Sequence, residues 1–191
     1  MQQNLEIEFK AMITKAIYDQ MHQDLKNLSI HTYTQTNHYL THPILDQQKS
    51  MLRVRIFENR AELTLKQRFK NGNLETNLDL DLDTANKIID GNFESNQIFE
   101  LLKKEGIDYH DLKQQFSLKT IRSDIKLPHG MLSIDQNHYC DTTDFEVEYE
   151  IENQDEAIEY FKQLLDKYNI GYQKNSISKY LRAKNKALKK I

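Results

Sequence analysis

Acidic and basic side chains alternate with apolar ones in the stretch NLEIEFKAM, residues 4–12. Glu6, Glu8 and Lys10 occupy every second position, and apolar residues stand between them. A period of two predicts a strand with one polar face and one apolar face. Two carboxylates and one ammonium group within about 14 Å of strand fit one wall of a site for a cation and an anion. They also fit an ordinary solvated face, which is the more common origin of such a pattern.

Five further stretches alternate in the same way, and their polar faces are sorted by charge. Residues 145–152 carry only acids on that face, whereas the charged residues of 51–57 are both arginines, Arg53 and Arg55. Clustered carboxylates bind hard divalent cations, and rows of Arg and Lys bind phosphate oxygens. Together the two kinds of strand indicate a site for a metal ion and a polyphosphate. Cross-strand pairing of acids with bases, or simple solvation, would explain the same sorting.

The elements that must position these faces are mostly strands joined in hairpin order. Apolar spacing of three to four residues predicts helices between groups of strands, and Asn71-Gly72 is the strongest turn signal. This order predicts an α+β fold with an antiparallel sheet. The predicted strands cover residues 4–11, 30–40, 51–57, 61–69, 74–82, 112–127, 131–139 and 145–152, and the predicted helices cover 14–25, 84–89, 96–105, 154–168 and 176–188.

Two architectures satisfy this pattern. In the first, an open sheet packs its apolar face on the helices and leaves its charged face in water. In the second, the sheet closes and the charged faces line its inside, with the helices packed outside. Acids and bases confined in this way persist only if they balance each other or hold charged ligands.

Length and composition narrow the classes of function. A chain of 191 residues favours one domain, 1–191, and its formal net charge of -3 gives no sign of bulk nucleic-acid binding. Cys140 is the single cysteine, and no apolar run approaches the roughly 20 residues of a membrane span. These features predict a cytoplasmic protein with no membrane partner. Because neither GxGxxG nor a Walker motif occurs, side chains would have to bind any phosphate.

Glu6-x-Glu8-x-Lys10 resembles the ExExK signature of the CYTH superfamily, the triphosphate tunnel metalloenzymes. The resemblance continues in order along nearly the whole chain, from residue 6 to about residue 180. It looks most like the small bacterial branch of triphosphatases found in Gram-positive bacteria. The segments that carry it are QTNHYL at 35–40, LRVR at 52–55, LTLK at 63–66, FEVEYE at 145–150 and SISKY at 176–180.

The resemblance implies a closed antiparallel β-barrel of eight strands that forms a triphosphate tunnel, with helices packed outside. It also implies divalent-metal-dependent hydrolysis of a triphosphate, with inorganic triphosphate as the expected substrate and Mg²⁺ or Mn²⁺ as the expected cofactor. One alternative keeps the fold and changes the reaction to adenylyl cyclase-like chemistry or to hydrolysis of thiamine or nucleoside triphosphates. Another is a non-catalytic protein that binds polyphosphate or nucleotide. A homodimer is a possible assembly.

The resemblance implies catalytic, metal-binding and substrate-binding roles for particular residues. The catalytic positions that the resemblance implies are Glu6, Glu8, Lys10 and Lys66. The expected metal ligands are Glu6, Glu8, Glu146 and Glu148, with Asp135 and Glu75 as further candidates. The expected ligands of the triphosphate oxygens are Lys10, Arg53, Arg55, Lys66, Arg122 and Lys179.

The chain departs from the family pattern in two places. Leu40-Thr41-His42 stands where the family often has Phe-Asp-Thr, and Glu75-x-Asn77 stands where it has an acidic pair. The second change replaces one carboxylate by an amide. The basic tail from Arg182 to Lys190 is interpreted as a solvated helix end.

Overall fold

The computed structural model describes residues 1–70, 72–151 and 154–189 of the chain. The predicted turn residue Asn71 therefore lies outside the described residues. The described strands are β1 Gln2–Glu6, β2 Glu8–Ile13, β3 Ile30–Thr41, β4 Met51–Ile56, β5 Ala61–Phe69, β6 Gly72–Leu80, β7 Lys113–Leu127, β8 Gly130–Tyr139 and β9 Thr142–Ile151. The described helices are α1 Lys15–Asp24, α2 Pro43–Gln47, α3 Leu82–Ile89, α4 Gln97–Lys104, α5 Gln154–Asp166 and α6 Lys179–Leu188.

The strands pair in the antiparallel order β1-β6-β5-β4-β3-β7-β8-β9-β2. The predicted α+β class with an antiparallel sheet is confirmed. The predicted count of eight strands is wrong, because nine are present in the described part of the chain. The hydrogen-bonded order also has two ends, β1 and β2, instead of the ring that a closed barrel requires.

The extra strand arises from a break at Ile7 in the predicted first strand. Before the break, β1 pairs with β6, and after it β2 pairs with β9. The carbonyl of Ile7 accepts a hydrogen bond of 3.0 Å from the backbone N–H of Ile151. A strand that changes partner must leave one ladder before it joins the next, so one alternating segment becomes two strands.

The chain divides into two compact units. The first unit contains Met1–Glu6 and Gln35–Leu118, and the second contains Ile7–Thr34 and Lys119–Ile191. No helix among the described residues is both long enough and apolar enough to cross a membrane.

The first unit has its core between the strands β4 and β5 and the helices α3 and α4. Leu52, Val54, Leu63 and Leu65 are at most 1% exposed and pack on helix residues such as Phe99. Burial of one such side chain stabilises the fold by roughly 1.5–3 kcal/mol. Because strand side chains alternate, this packing turns the arginines of β4 and Lys66 of β5 to the opposite face.

The second unit has its core between β2, β8 and β9 on one side and α1 and α5 on the other. Phe9 stacks on Phe161 of α5, and Tyr149 stacks on the same ring. Leu132 and Val147 are fully buried beside them. The alternate residues of these strands form a polar face, which includes the acids of β8 and β9.

Candidate active site

Three carboxylates of the second unit converge in what we call the acidic triad, Asp135, Glu146 and Glu148. Asp135 of β8 is paired directly with Glu146 of β9, and Glu148 follows two residues later on the same face. All three residues are buried, and one ligand oxygen from each lies within 4.8 Å of the others. Hard divalent cations bind oxygen ligands of this kind. The predicted metal ligands Asp135, Glu146 and Glu148 are therefore brought together.

Three predicted phosphate-binding cations surround the triad. The guanidinium of Arg122 donates to both carboxylate oxygens of Asp135, at 2.8 and 2.6 Å, and to Glu148 at 2.6 Å. The ammonium of Lys10 donates to Glu148 at 3.2 Å and also to Glu8. The remaining cation is Lys179, at the first position of α6.

Lys179 places a positive charge at the point where the three acids meet. Its Nζ lies 3.3 Å from Glu146 and 3.0 Å from Glu148, and it also donates to Asp135. A single cation that contacts all three carboxylates shows that their oxygens can share one positive ligand. The residues present therefore fit a divalent cation, both by the type of donor and by this arrangement.

The charges of this cluster stabilise one another strongly. Burial by itself would raise the pKa of Glu148, but Lys179, Lys10 and Arg122 outweigh burial and hold this pKa well below its usual range. Burial would lower the pKa of Lys179, but the three triad carboxylates raise it overall. In the same way, Glu148 and Glu8 outweigh burial and raise the pKa of Lys10. Glu148 therefore stays ionised, and Lys10 and Lys179 stay protonated, at neutral pH.

Next to the triad, Arg182 and Asp144 form an ion pair that was not predicted from the sequence. Arg182 of α6 donates to both oxygens of Asp144, at 2.8 and 3.0 Å, and to Glu146 at 3.1 Å. Tyr139 also donates to Asp144, at 2.5 Å. The interpretation of the tail from Arg182 as a solvated helix end is wrong at Arg182, which is half-buried. The spacing Lys179-x-x-Arg182, which places both cations on one face of a helix, was the available signal.

The first unit has a charged cluster of its own, formed by Glu6, Lys66, Glu75 and Arg53. Lys66 forms ion pairs with Glu6 and, at 3.2 Å, with Glu75. The nearest guanidinium nitrogen of Arg53 is 3.9 Å from Glu75. Burial would raise the pKa of Glu75, but Arg53 and Lys66 lower it to about 2. The strand register explains the cluster, since Lys66 of β5 is paired with Glu75 of β6.

Arg55 lies one position further along the same face of β4. Its Nε donates to the side chain of Asn37 at 2.9 Å, and its Nη1 is 3.2 Å from Glu62. Of the six acids expected to bind metal, three form the triad, Glu8 contacts Lys10, and Glu6 and Glu75 belong to the cluster of the first unit.

A sequence model of the CYTH domain matches residues 4–182 of the chain, which covers both clusters. The chain belongs to the CYTH family. This membership confirms the resemblance that rests on Glu6-x-Glu8-x-Lys10. The acidic triad and the three cations around it all lie inside the range that the family model matches.

Several relatives resemble this CYTH chain over nearly all of its length. "Putative triphosphatase YjbK" of Bacillus subtilis is 28% identical over 98% of this chain and 100% of its own. A crystal structure of a "putative adenylate cyclase" from Bacillus halodurans is 29% identical, with a TM-score of 0.86 over 95% of this chain and 98% of its own. HpAC1 from Hippeastrum, described as having a dominant triphosphatase activity, is 21% identical, with a TM-score of 0.80 over 95% and 96%. At that identity HpAC1 shows the CYTH fold alone.

Proposed function

We propose that this CYTH protein hydrolyses inorganic triphosphate to pyrophosphate and phosphate with the help of a divalent cation. The observation that carries the proposal is the acidic triad with three cations around it. This arrangement supplies ligands for a metal ion and for phosphate oxygens at one place. The family match and the name of the Bacillus subtilis relative support the same reaction.

The triad would hold the cation, which we propose to be Mg²⁺ or Mn²⁺. When bound, such a cation neutralises charge on phosphoryl oxygens and favours in-line attack at phosphorus. Glu8 is a further candidate metal ligand, because its carboxylate contacts Lys10, which also contacts Glu148 of the triad. We also propose that Glu6 and Glu75 of the first unit are metal ligands.

The lysines and arginines act as fixed positive charges. Arg122 can grip phosphate through two N–H groups, as it grips Asp135 here, whereas Lys10 and Lys179 act as compact charges. In the first unit, the candidates for binding phosphate oxygens are Arg53, Arg55 and Lys66. Because its raised pKa keeps Lys10 protonated, Lys10 serves as a ligand of phosphoryl oxygens and not as the base that accepts a proton from water.

Adenylyl cyclase chemistry is the second candidate. It is favoured by the description of the Bacillus halodurans relative, which is 29% identical over nearly the whole chain. Both reactions need a metal ion and a bound triphosphate group, so the triad serves either one. They differ in whether the nucleophile is water or a ribose hydroxyl of the substrate.

One set of assays separates the candidates. Purified protein is incubated with inorganic triphosphate, ATP or thiamine triphosphate in the presence of Mg²⁺ or Mn²⁺, and phosphate, pyrophosphate and cyclic AMP are measured. We expect phosphate and pyrophosphate from inorganic triphosphate at the highest kcat/KM. Cyclic AMP from ATP would favour the second candidate, and tight binding of triphosphate without any product would reject an enzyme.

A further inference from the structure

Three side chains of the first unit form a row across neighbouring strands. In the strand register, Arg53 of β4 is paired with Thr64 of β5, and Thr64 is paired with Asn77 of β6. Directly paired residues in an antiparallel sheet carry their side chains on the same face. The row therefore lies on the polar face, opposite the core leucines of β5.

Every member of this row has a buried polar atom without a hydrogen-bond partner among the described residues. These atoms are Nε of Arg53, Oγ1 of Thr64 and Oδ1 of Asn77. Thr64 is 0% exposed and Arg53 is 8% exposed. Buried polar groups are nearly always hydrogen-bonded, because an unpaired one loses its water without replacement. The Nε–H of Arg53 and the hydroxyl of Thr64 each lack an acceptor, whereas Oδ1 of Asn77 lacks a donor. The first two atoms, at adjacent positions, indicate that a ligand supplies acceptor oxygens.

The chemistry of the row selects an anion as that ligand. Its members carry one positive charge and no negative charge. The ion pair of Arg53 with Glu75 is 3.9 Å long, which is too long for a hydrogen bond. The Nε–H of Arg53 and the hydroxyl of Thr64 can donate, and the carboxamide of Asn77 can turn its N–H group to the same ligand. None of the three members of the row offers a carboxylate, the ligand that a divalent cation prefers; the carboxylate of Glu75 is 3.9 Å from Arg53.

We propose that Thr64 and Asn77, beside Arg53, bind a phosphoryl group of the triphosphate directly, without a metal ion. This inference rests on the proposed function, because it takes a triphosphate as the ligand. It adds two neutral ligands to the charged residues that the family pattern suggests. It also gives the amide at position 77 a role, since a carboxylate there would repel the phosphoryl oxygens.

The experiment is calorimetric titration of the full chain with sodium triphosphate in EDTA. Thr64→Val removes the hydroxyl and keeps the shape of the side chain, whereas Thr64→Ser keeps the hydroxyl. Thr76→Val is the matched control, because its hydroxyl already accepts a hydrogen bond of 3.1 Å from Gln3. Asn77→Asp tests the amide at nearly constant volume.

We expect the unchanged protein to bind triphosphate in EDTA. A hydrogen bond to a charged ligand is lost in Thr64→Val, so its Kd should rise about tenfold, while the Kd of Thr64→Ser and Thr76→Val stays within about twofold of the unchanged value. The Kd of Asn77→Asp should rise by at least about tenfold, because like charges then meet. The melting temperature of Thr64→Val without ligand should stay equal or rise, since an unpaired buried hydroxyl is removed.

Two results would overturn this inference: no binding in EDTA, or a Thr64→Val variant that binds as tightly as the unchanged protein. Turnover of triphosphate with Mg²⁺, measured in parallel, tests the proposed function by itself. Turnover without binding in EDTA rejects only the metal-free subsite. Binding that depends on Thr64 without turnover rejects only the hydrolase.

Discussion

At the scale of single residues, Lys179 is the most informative side chain of the site. Three buried carboxylates that lie within 4.8 Å of one another would be unstable without a positive partner. Lys179 supplies this partner, and Arg122 and Lys10 add two more. The lysine thus stabilises the triad when no divalent cation is bound, and under the proposed function it would compete with the cation for the same oxygens.

This competition predicts the behaviour of Lys179→Gln. The melting temperature in EDTA should fall, because the triad loses one of its cations, and added Mn²⁺ should raise it again. Calorimetry should show Mn²⁺ binding about tenfold tighter than in the unchanged protein. Lys186→Gln on the same helix is the control, since Lys186 forms an exposed pair with Asp141. Weaker Mn²⁺ binding by Lys179→Gln would contradict a shared position.

The low pKa of Glu75 predicts that the stability of the folded protein depends on pH. Its pKa falls from 4.5 to about 2 in the folded protein. Since the unfolded chain binds the proton more readily, the contribution of Glu75 is present above about pH 4.5 and is lost as the pH falls towards 2. Glu75→Gln should therefore flatten the loss of stability between pH 5 and 3, measured as urea midpoints in EDTA. Glu94→Gln, an exposed change in the same unit, should leave the slope unchanged.

At the scale of elements, the segment before α6 holds the edge strand β2. The side chain of Asn175 accepts a hydrogen bond of 2.8 Å from the N–H of Lys10 and donates one of 2.9 Å to the carbonyl of Glu8. The N–H of Ser176 adds a bond of 3.2 Å to the carbonyl of Lys10. These contacts cover an open strand edge and fix the start of the helix that carries Lys179.

Loss of this link should affect both stability and turnover. Asn175→Ala removes two hydrogen bonds to backbone groups, so the free energy of unfolding should fall by about 1–3 kcal/mol. The value of kcat should fall about tenfold, because Lys179 is no longer held at the triad. Asn185→Ala, an exposed change within α6, is the control. An Asn175→Ala variant with unchanged kcat would show that the link does not position Lys179.

The close approach of Gly130 to β9 allows a test of whether metal binding at the triad depends on the pairing of β8 with β9. A Cβ at this position would overlap the backbone carbonyl of Glu150. Gly130→Ala should therefore shift β9, lower the free energy of unfolding by about 1–3 kcal/mol and weaken Mn²⁺ binding at the triad. Gly171→Ala is the control, because a Cβ there meets no atom within 4 Å. Equal Mn²⁺ affinity in both variants would contradict this coupling.

The strands were largely predictable because the alternation of apolar and polar residues depends only on local geometry. Residues 51–57 and 61–69 were predicted as strands and are observed as β4 and β5. The break at Ile7 was not predictable from local sequence, because it depends on which distant strand each half pairs with. Arg182 was missed for a related reason, since its partner Asp144 lies on β9.

At the scale of the whole molecule, a nearly balanced charge conceals two ordered clusters. The formal net charge is only -3, but each of the two compact units carries acids and bases together on the polar face of its strands. In the second unit the triad carboxylates are buried, whereas in the first unit the buried Arg53 lies beside the partly buried Glu75. The sequence predicted which residues face away from the core. It did not predict which of them meet, because strand register and the helix face of α6 decide the grouping.

The most direct test of the account is release of phosphate from inorganic triphosphate by the unchanged protein and by Glu148→Gln. With Mg²⁺ or Mn²⁺ we predict turnover that EDTA abolishes, and a loss of at least about 100-fold in the variant. Glu159→Gln, an exposed change on α5, should keep full activity. Circular dichroism should show that all three proteins are folded. Turnover that survives EDTA or the loss of the Glu148 carboxylate would contradict metal-dependent hydrolysis at the triad.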